Sequence, residues 1–92
     1  MRAHHPGHHE RVDGNAAGGI LLDIFGRDMT GARAACAHCE HEGPLANAVA
    51  EVDDAGMILL CPGCGHTLLT AVRSDGVQTL IIGGLRRLRW PL

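Results

Sequence analysis

A small, mainly β fold pinned by a metal-binding cysteine cluster is predicted for this chain, and three observations lead there. The four cysteines fall in two pairs, Cys36-Ala37-His38-Cys39 and Cys61-Pro62-Gly63-Cys64, with 21 residues between them. Beyond Thr30 the sequence breaks into short apolar or alternating runs punctuated by Gly, Pro and Asp, the pattern of strands and tight turns. With 92 residues in all, one small domain is expected, and its core is marginal by area alone, so a staple is needed. The cysteines supply it. Each C-x-x-C bends the backbone so that two sulfurs converge, and two such knuckles complete a tetrahedral four-thiolate site. Strand, knuckle, hairpin, knuckle, hairpin is the order of a zinc ribbon, here preceded by one short helix.

Taken in order, residues 1–12 are polar, histidine-rich and interrupted by Pro6 and Gly7, and are expected to be a disordered tail ahead of a domain spanning 13–92. His4, His5, His8 and His9 lie in that tail, with nothing to hold them together as a second metal site. Asp13 or Asn15 is placed to N-cap a helix over 16–25. Ile20, Leu21, Ile24 and Phe25 recur on one face of it, and Gly26 is a plausible stop. Gly18 and Gly19 each cost about 1 kcal/mol relative to alanine within a helix, so this helix needs something to dock against. Residues 32–35 lead into the first knuckle. The run 45–52 alternates as a strand, Asp53-Asp54-Ala55-Gly56 is a turn, and 57–60 is an apolar strand delivering Cys61. Past the second knuckle, 67–73 and 77–82 flank Ser74-Asp75-Gly76, a compact hairpin signal. Gly83-Gly84 then breaks the chain before 85–90.

The chemistry concentrates in Cys36, Cys39, Cys61 and Cys64. Four sulfurs leave no open position for water, so one structural Zn²⁺ is expected, not a Lewis-acid catalyst. Binding free energies of about 10–16 kcal/mol for structural zinc in small peptides exceed the stability of a typical domain, so metal should decide whether the ribbon folds. Iron is the rival ion, since Cys61-Pro62-Gly63-Cys64-Gly65 is similar to a knuckle of rubredoxins. Those electron carriers pack their iron beneath several aromatic rings, whereas this chain has one Phe, one Trp and no Tyr. His38-Cys39-Glu40 with the second knuckle is superficially similar to the H-x-E…P-C-x-x-C deaminase signature. The proline is misplaced for that signature, and Cys36 and Cys39 would both be left over. His38, His41 and His66 are expected to be knuckle residues and not ligands, and no serine–histidine–acid set or phosphate loop is present. The chain is therefore expected to be no enzyme and to have no small-molecule substrate.

The formal charge is -2, and every basic side chain is arginine. Four thiolates with one Zn²⁺ make the loaded protein more acidic still, which weakens a default nucleic-acid reading. The candidate phosphate-binding patch is Arg86, Arg87 and Arg89, joined by Arg73; a solvated edge strand explains the same charges. No apolar leader opens the chain and no run approaches membrane-spanning length, so a reducing cytoplasm, without a membrane, is the expected setting.

Several segments together resemble one family. They are Asp13-Gly14-Asn15-Ala16, Asp23-Ile24-Phe25-Gly26, Cys36-x-x-Cys39 with Gly43-Pro44-Leu45, Cys61-Pro62-Gly63-Cys64-Gly65, Leu68-Leu69 and Gly84-Leu85-Arg86. The family is that of short actinobacterial zinc-ribbon proteins catalogued as a domain of unknown function, and the resemblance spans about residues 12–90. It departs at Glu40, where a glycine commonly follows the first knuckle, and the expected result is looser hydrogen bonding to one sulfur. The resemblance supports the zinc and the fold. It also implies an accessory or maturation subunit, encoded near a sulfite-oxidase-like molybdenum enzyme and a ferredoxin-reductase-like flavoprotein. A protein-binding module is thus expected, with Trp90, Leu88, Arg86, Arg87 and Arg89 as its contact residues. A nucleic-acid-binding ribbon is the alternative, followed by a rubredoxin-like iron electron carrier.

Overall fold

The computed structural model describes residues 10–92, with side chains from Val12 onward. Eight strands form two antiparallel sheets. One sheet holds β1 (Glu10–Asp13), β4 (Val49–Asp53), β5 (Gly56–Leu60), β6 (Thr67–Ser74) and β7 (Val77–Ile81), in the order β1-β4-β5-β6-β7. The other holds β2 (Arg33–Cys36), β3 (Glu42–Pro44) and β8 (Leu85–Arg89), in the order β3-β2-β8. A 3₁₀ turn (Gly14–Ala17) runs into α1 (Gly18–Phe25), the one α-helix among the described residues. The result is the small, mainly β ribbon with an N-terminal helix that the cysteine spacing and turn signals predict. Among the described residues no helix is long and apolar enough to cross a membrane.

The core is built largely from leucine and alanine. In the larger sheet Ala50 lies opposite Leu59 and Leu59 opposite Leu69, while Met57 lies opposite Ala71. All five are buried. Alternating large and small side chains across neighbouring strands lets the layers interdigitate at interior density. Leu21 of α1, Met29 and Leu45 fill the space on that sheet. Ile20, Ile24 and Phe25 join them half-buried, and Leu22 and Asp23 stay exposed. The helix face read from the sequence is the one that docks. Its glycines stand in the first turn of the α-helix, where they interrupt nothing, because the chain enters through the 3₁₀ turn. Asp13 caps that turn by accepting from the amide of Asn15 at 3.1 Å, and Gly26 ends the helix with its amide on the carbonyl of Leu22 at 2.8 Å.

Three segments differ from the sequence expectation. Residues 45–52 are not one strand: Leu45–Asn47 form a 3₁₀ turn, and β4 starts at Val49. Pro44 leads into that turn, and the amides of Leu45 and Ala46 bond to the carbonyls of Ala32 and Thr30 at 2.9 and 2.8 Å. This swings Leu45 into the core, where an alternating strand would have left it at the surface. Glu42–Pro44, with a glycine and a proline and no β-branched residue, becomes β3 because β2 offers it a partner. Glu10–Val12, assigned by sequence to the tail, instead belong to β1 and pair with β4 from Val52 to Ala50. Val12 packs against the core. The rest of the expected tail, with His4, His5, His8 and His9, lies outside the described residues.

Candidate metal centre

The two knuckles are built alike, one at the tip of β2–β3 and the other at the tip of β5–β6. In the first, the amide of Cys36 bonds to the carbonyl of His41 at 2.9 Å and that of Glu40 to Cys36 at 2.9 Å. In the second, Cys61 bonds to His66 at 2.8 Å and Gly65 to Cys61 at 2.9 Å. Sulfur contacts repeat in the same way. The amides of His38 and Gly63 reach Cys36 Sγ and Cys61 Sγ, each at 3.3 Å. Those of His41 and His66 serve Cys39 and Cys64. The Cys36 and Cys61 sulfurs thus each receive a backbone N–H, and amides beside the other two favour their thiolates, an arrangement that delocalises thiolate charge.

The sequence difference at Glu40 does not loosen this arrangement. Glu40 adopts φ 66°, the counterpart of Gly65 at φ 82°, and the His41 amide still serves Cys39. The consequence is backbone strain, since a non-glycine residue in the left-handed region costs about 1–2 kcal/mol. Glu40→Gly is expected to raise the unfolding free energy of the metal-loaded protein by about 1 kcal/mol, and Gly65→Ala to lower it by a similar amount. Paired denaturant titrations check both signs.

The four sulfurs lie within 4.8 Å of one another. Cys36 Sγ is 3.7 Å from Cys64 Sγ and Cys39 Sγ 3.6 Å from Cys61 Sγ, far beyond disulfide bonding distance. A tetrahedral ion with metal–sulfur bonds of about 2.3 Å has sulfur–sulfur edges of about 3.8 Å. The cluster thus has the size of a tetrahedral thiolate shell. Cys36 and Cys61 are buried, Cys64 is half-buried and Cys39 is exposed, so the cluster sits at the surface with two of its cysteines anchored in the core.

Protonation gives a second indication that the donors fit a cation. Burial pushes the Cys36 thiol up, but the amides of Cys39 and His38 and the neighbouring thiols outweigh it and bring it down to about 7. At Cys64 the His66 amide favours the thiolate, yet burial and the three other cysteines prevail and push it up to about 12. Cys39 is raised too; the His41 amide is outweighed by burial and by Cys61. Without a cation the cluster takes a first negative charge readily and resists more. At neutral pH Cys39 and Cys64 hold their protons, so filling the site expels at least these two. Protons compete with the ion, and apparent affinity should fall as pH falls, by about 100-fold per unit if two protons are displaced. Competition with a chromophoric chelator between pH 8 and pH 6 is expected to give a slope at least that steep, because Cys36, brought down to about 7, also takes up its proton across this range.

His38 and His66 stack across the knuckles with ring centroids 3.6 Å apart and planes 21° apart. His66 Nδ1 lies 3.5 Å from Cys64 Sγ. His38, His66 and Cys64 have ligand atoms within 4.8 Å of one another, but nearly parallel rings direct their in-plane lone pairs side by side, not at a common point. His41 lies against Gly63. All three histidines are exposed at the knuckles.

The residues singled out for partner binding are spread along β8 and just past it. Leu88 packs on the core. Trp90 stands over Phe25 at a centroid distance of 6.3 Å, tying the end of β8 to α1, and stays 43% exposed. Arg87 and Arg89 both donate to Glu42, which Arg33 also approaches at 3.6 Å. Arg86 pairs with Glu40 at 3.6 Å, and Arg73 with Asp23 of α1 at 2.9 Å. Hydrogen bonds from Arg89 and Arg87 hold the Glu42 carboxyl below its ordinary range. Sequence reasoning missed Glu42. It lies in one row with Ala35 and Arg87 across β3-β2-β8, an alignment that only the pairing of distant strands creates.

The model of a family of unknown function (DUF6510) matches residues 6–92. No curated protein and no solved structure matches the chain.

Proposed function

The chain belongs to that family of unknown function, and from its cysteine centre we propose that it is a non-enzymatic protein-binding module held together by one structural Zn²⁺. The observation that carries this reading is the closed sulfur tetrahedron, its four cysteines each met by a backbone amide. Cys36, Cys39, Cys61 and Cys64 would hold the ion, and the ion would supply cross-linking of two hairpins, since a four-thiolate shell leaves no position for substrate. Zinc is favoured over redox-active iron by the surroundings. Ala34, Leu45, Ala48 and Leu68 line the space beside Cys61 and Pro62, and the Phe25 and Trp90 rings pair with each other.

The partner is a protein, an oxidoreductase or its maturation machinery in the finer form of the reading, within a reducing cytoplasm. Part-exposed Trp90 is the anchor, because aromatic side chains with one open face often dominate interface energetics. The nucleic-acid alternative loses support: Arg73, Arg86, Arg87 and Arg89 each have a carboxylate partner, which a phosphate would have to displace. Affinity capture from native lysate with wild type and Trp90→Ala tests the reading. An oxidoreductase subunit recovered by wild type and lost from the variant is expected. Recovery of nucleic acid alone, with binding that weakens steeply as salt rises, would replace it.

A further inference from the structure

Among the described residues two sheets present four edges, and the sequences of three of them discourage pairing. Strand β1 carries Glu10, Arg11 and Asp13; β3 is three residues long and ends in Pro44; β8 carries Arg86, Arg87 and Arg89. Charge, proline and shortness are the usual means by which proteins blunt an edge. The fourth edge has none of them. Strand β7 reads Val77-Gln78-Thr79-Leu80-Ile81, without charge or proline, and Val77 and Ile81 are 60% and 55% exposed.

The orientation of β7 follows from its hairpin. Asp75 and Gly76 have φ 54° and 76°, a type I′ turn, and Ser74 and Val77 face each other across it. In such a hairpin the flanking pair exchanges both backbone hydrogen bonds, and bonded pairs then alternate. Val77, Thr79 and Ile81 spend their backbone groups on β6, which leaves Gln78 and Leu80 aimed outward at the open edge. Leu80 turns its side chain to the core, and Val77, Thr79 and Ile81 share the outer face.

We propose that the chain forms a two-fold dimer through β7, two copies of the strand pairing antiparallel about Thr79 into one continuous sheet. In that register Gln78 meets the partner's Leu80 with the outward backbone groups of both. Thr79 faces the partner's Thr79, and Val77 lies beside the partner's Ile81, so the exposed β-branched residues become cross-strand neighbours. Asp75 falls opposite the partner's Gly83, so no like charges meet. Centring one residue later, on Leu80, would require the carbonyl of Ile82, which already accepts from the amide of Leu85 at 3.1 Å. The strand is thus self-complementary in charge, face and hydrogen bonding, which β8 paired with itself would not be. The proposal rests on the sequence and hydrogen-bond pattern of β7 and does not depend on the Trp90 reading.

The two-fold axis makes the test specific. Thr79→Lys places two lysines directly across from each other, and Thr79→Glu two glutamates, an arrangement that destabilises a strand pair. Sedimentation velocity on the full, metal-loaded chain at up to about 10⁻⁴ M should show a dimer for wild type. Each variant should dissociate at least about tenfold more readily. An equimolar mixture of the two variants should restore the dimer, since lysine then faces glutamate, and this also shows that both variants are folded. A monomeric wild type, a dimer indifferent to both substitutions, or dissociated variants that fail to associate when mixed would each overturn the proposal.

Discussion

Cys61→Ser is expected to lose the metal and, with it, most of the β structure. Cys61 is buried, takes the amide of Gly63 on its sulfur at 3.3 Å and lies 3.6 Å from Cys39 Sγ. Serine keeps the size but not the ligand, because a neutral hydroxyl ionises far less readily than a thiol. The remaining three sulfurs hold one hairpin by two ligands and the other by one. Structural zinc contributes about 10–16 kcal/mol in small peptides, and a whole domain is typically stable by about 5–15 kcal/mol. The alanine-rich core cannot replace a contribution of that size. Metal content near zero and loss of the far-ultraviolet β signal are the expected readouts. A folded variant that keeps stoichiometric metal would show that Cys61 is not a ligand the fold depends on.

The second large effect is expected at Gly84. A Cβ there would stand 1.8 Å from the carbonyl oxygen of Thr67 and 2.9 Å from Leu68 Cα. Both are backbone atoms at the start of β6, just past the second knuckle, so no side chain can rotate away. The carbonyl of Gly84 meanwhile accepts from the amide of Ala37 in the first knuckle at 2.9 Å. One residue thus sits between both halves of the centre, and Gly84→Ala must separate them or break that bond. A loss of about 3 kcal/mol or more is expected, in the range that marks backbone displacement in a packed interior. Gly83→Ala is the matched control: its Cβ meets nothing within 4 Å, and its effect should stay within about 0.5 kcal/mol. Equal losses at the two positions in denaturant titrations would refute the close-approach argument.

What was legible in the sequence divides along physical lines. The clustering of Cys36, Cys39, Cys61 and Cys64 was legible because C-x-x-C is a local device, its turn made by residues within six positions of one another. The helix face and the β5, β6 and β7 strands were legible for a related reason, since hydrophobic period and turn chemistry are local. Strands β1 and β3 were not, because Glu10–Asp13 and Glu42–Pro44 have little strand propensity and pair only because a neighbour presents an edge. Leu45 was misassigned to a strand because the Leu45 and Ala46 amides bond to the carbonyls of Ala32 and Thr30, a contact between distant segments that periodicity does not encode. The arginines of β8 were read as free charges, while Glu40 and Glu42, more than forty residues away, engage them. Long-range pairing is what a single sequence hides.

The central claim is that a structural zinc ion in the four cysteines holds this domain together. Native mass spectrometry with metal analysis, on protein lacking the histidines of residues 1–9, tests it most directly. The account predicts one zinc per chain, a visible spectrum without bands and unchanged by dithionite, because Zn²⁺ is d¹⁰, and unfolding when a strong chelator removes the ion. A protein that stays folded without metal, or one whose visible bands bleach reversibly on reduction as iron in four thiolates would, contradicts it.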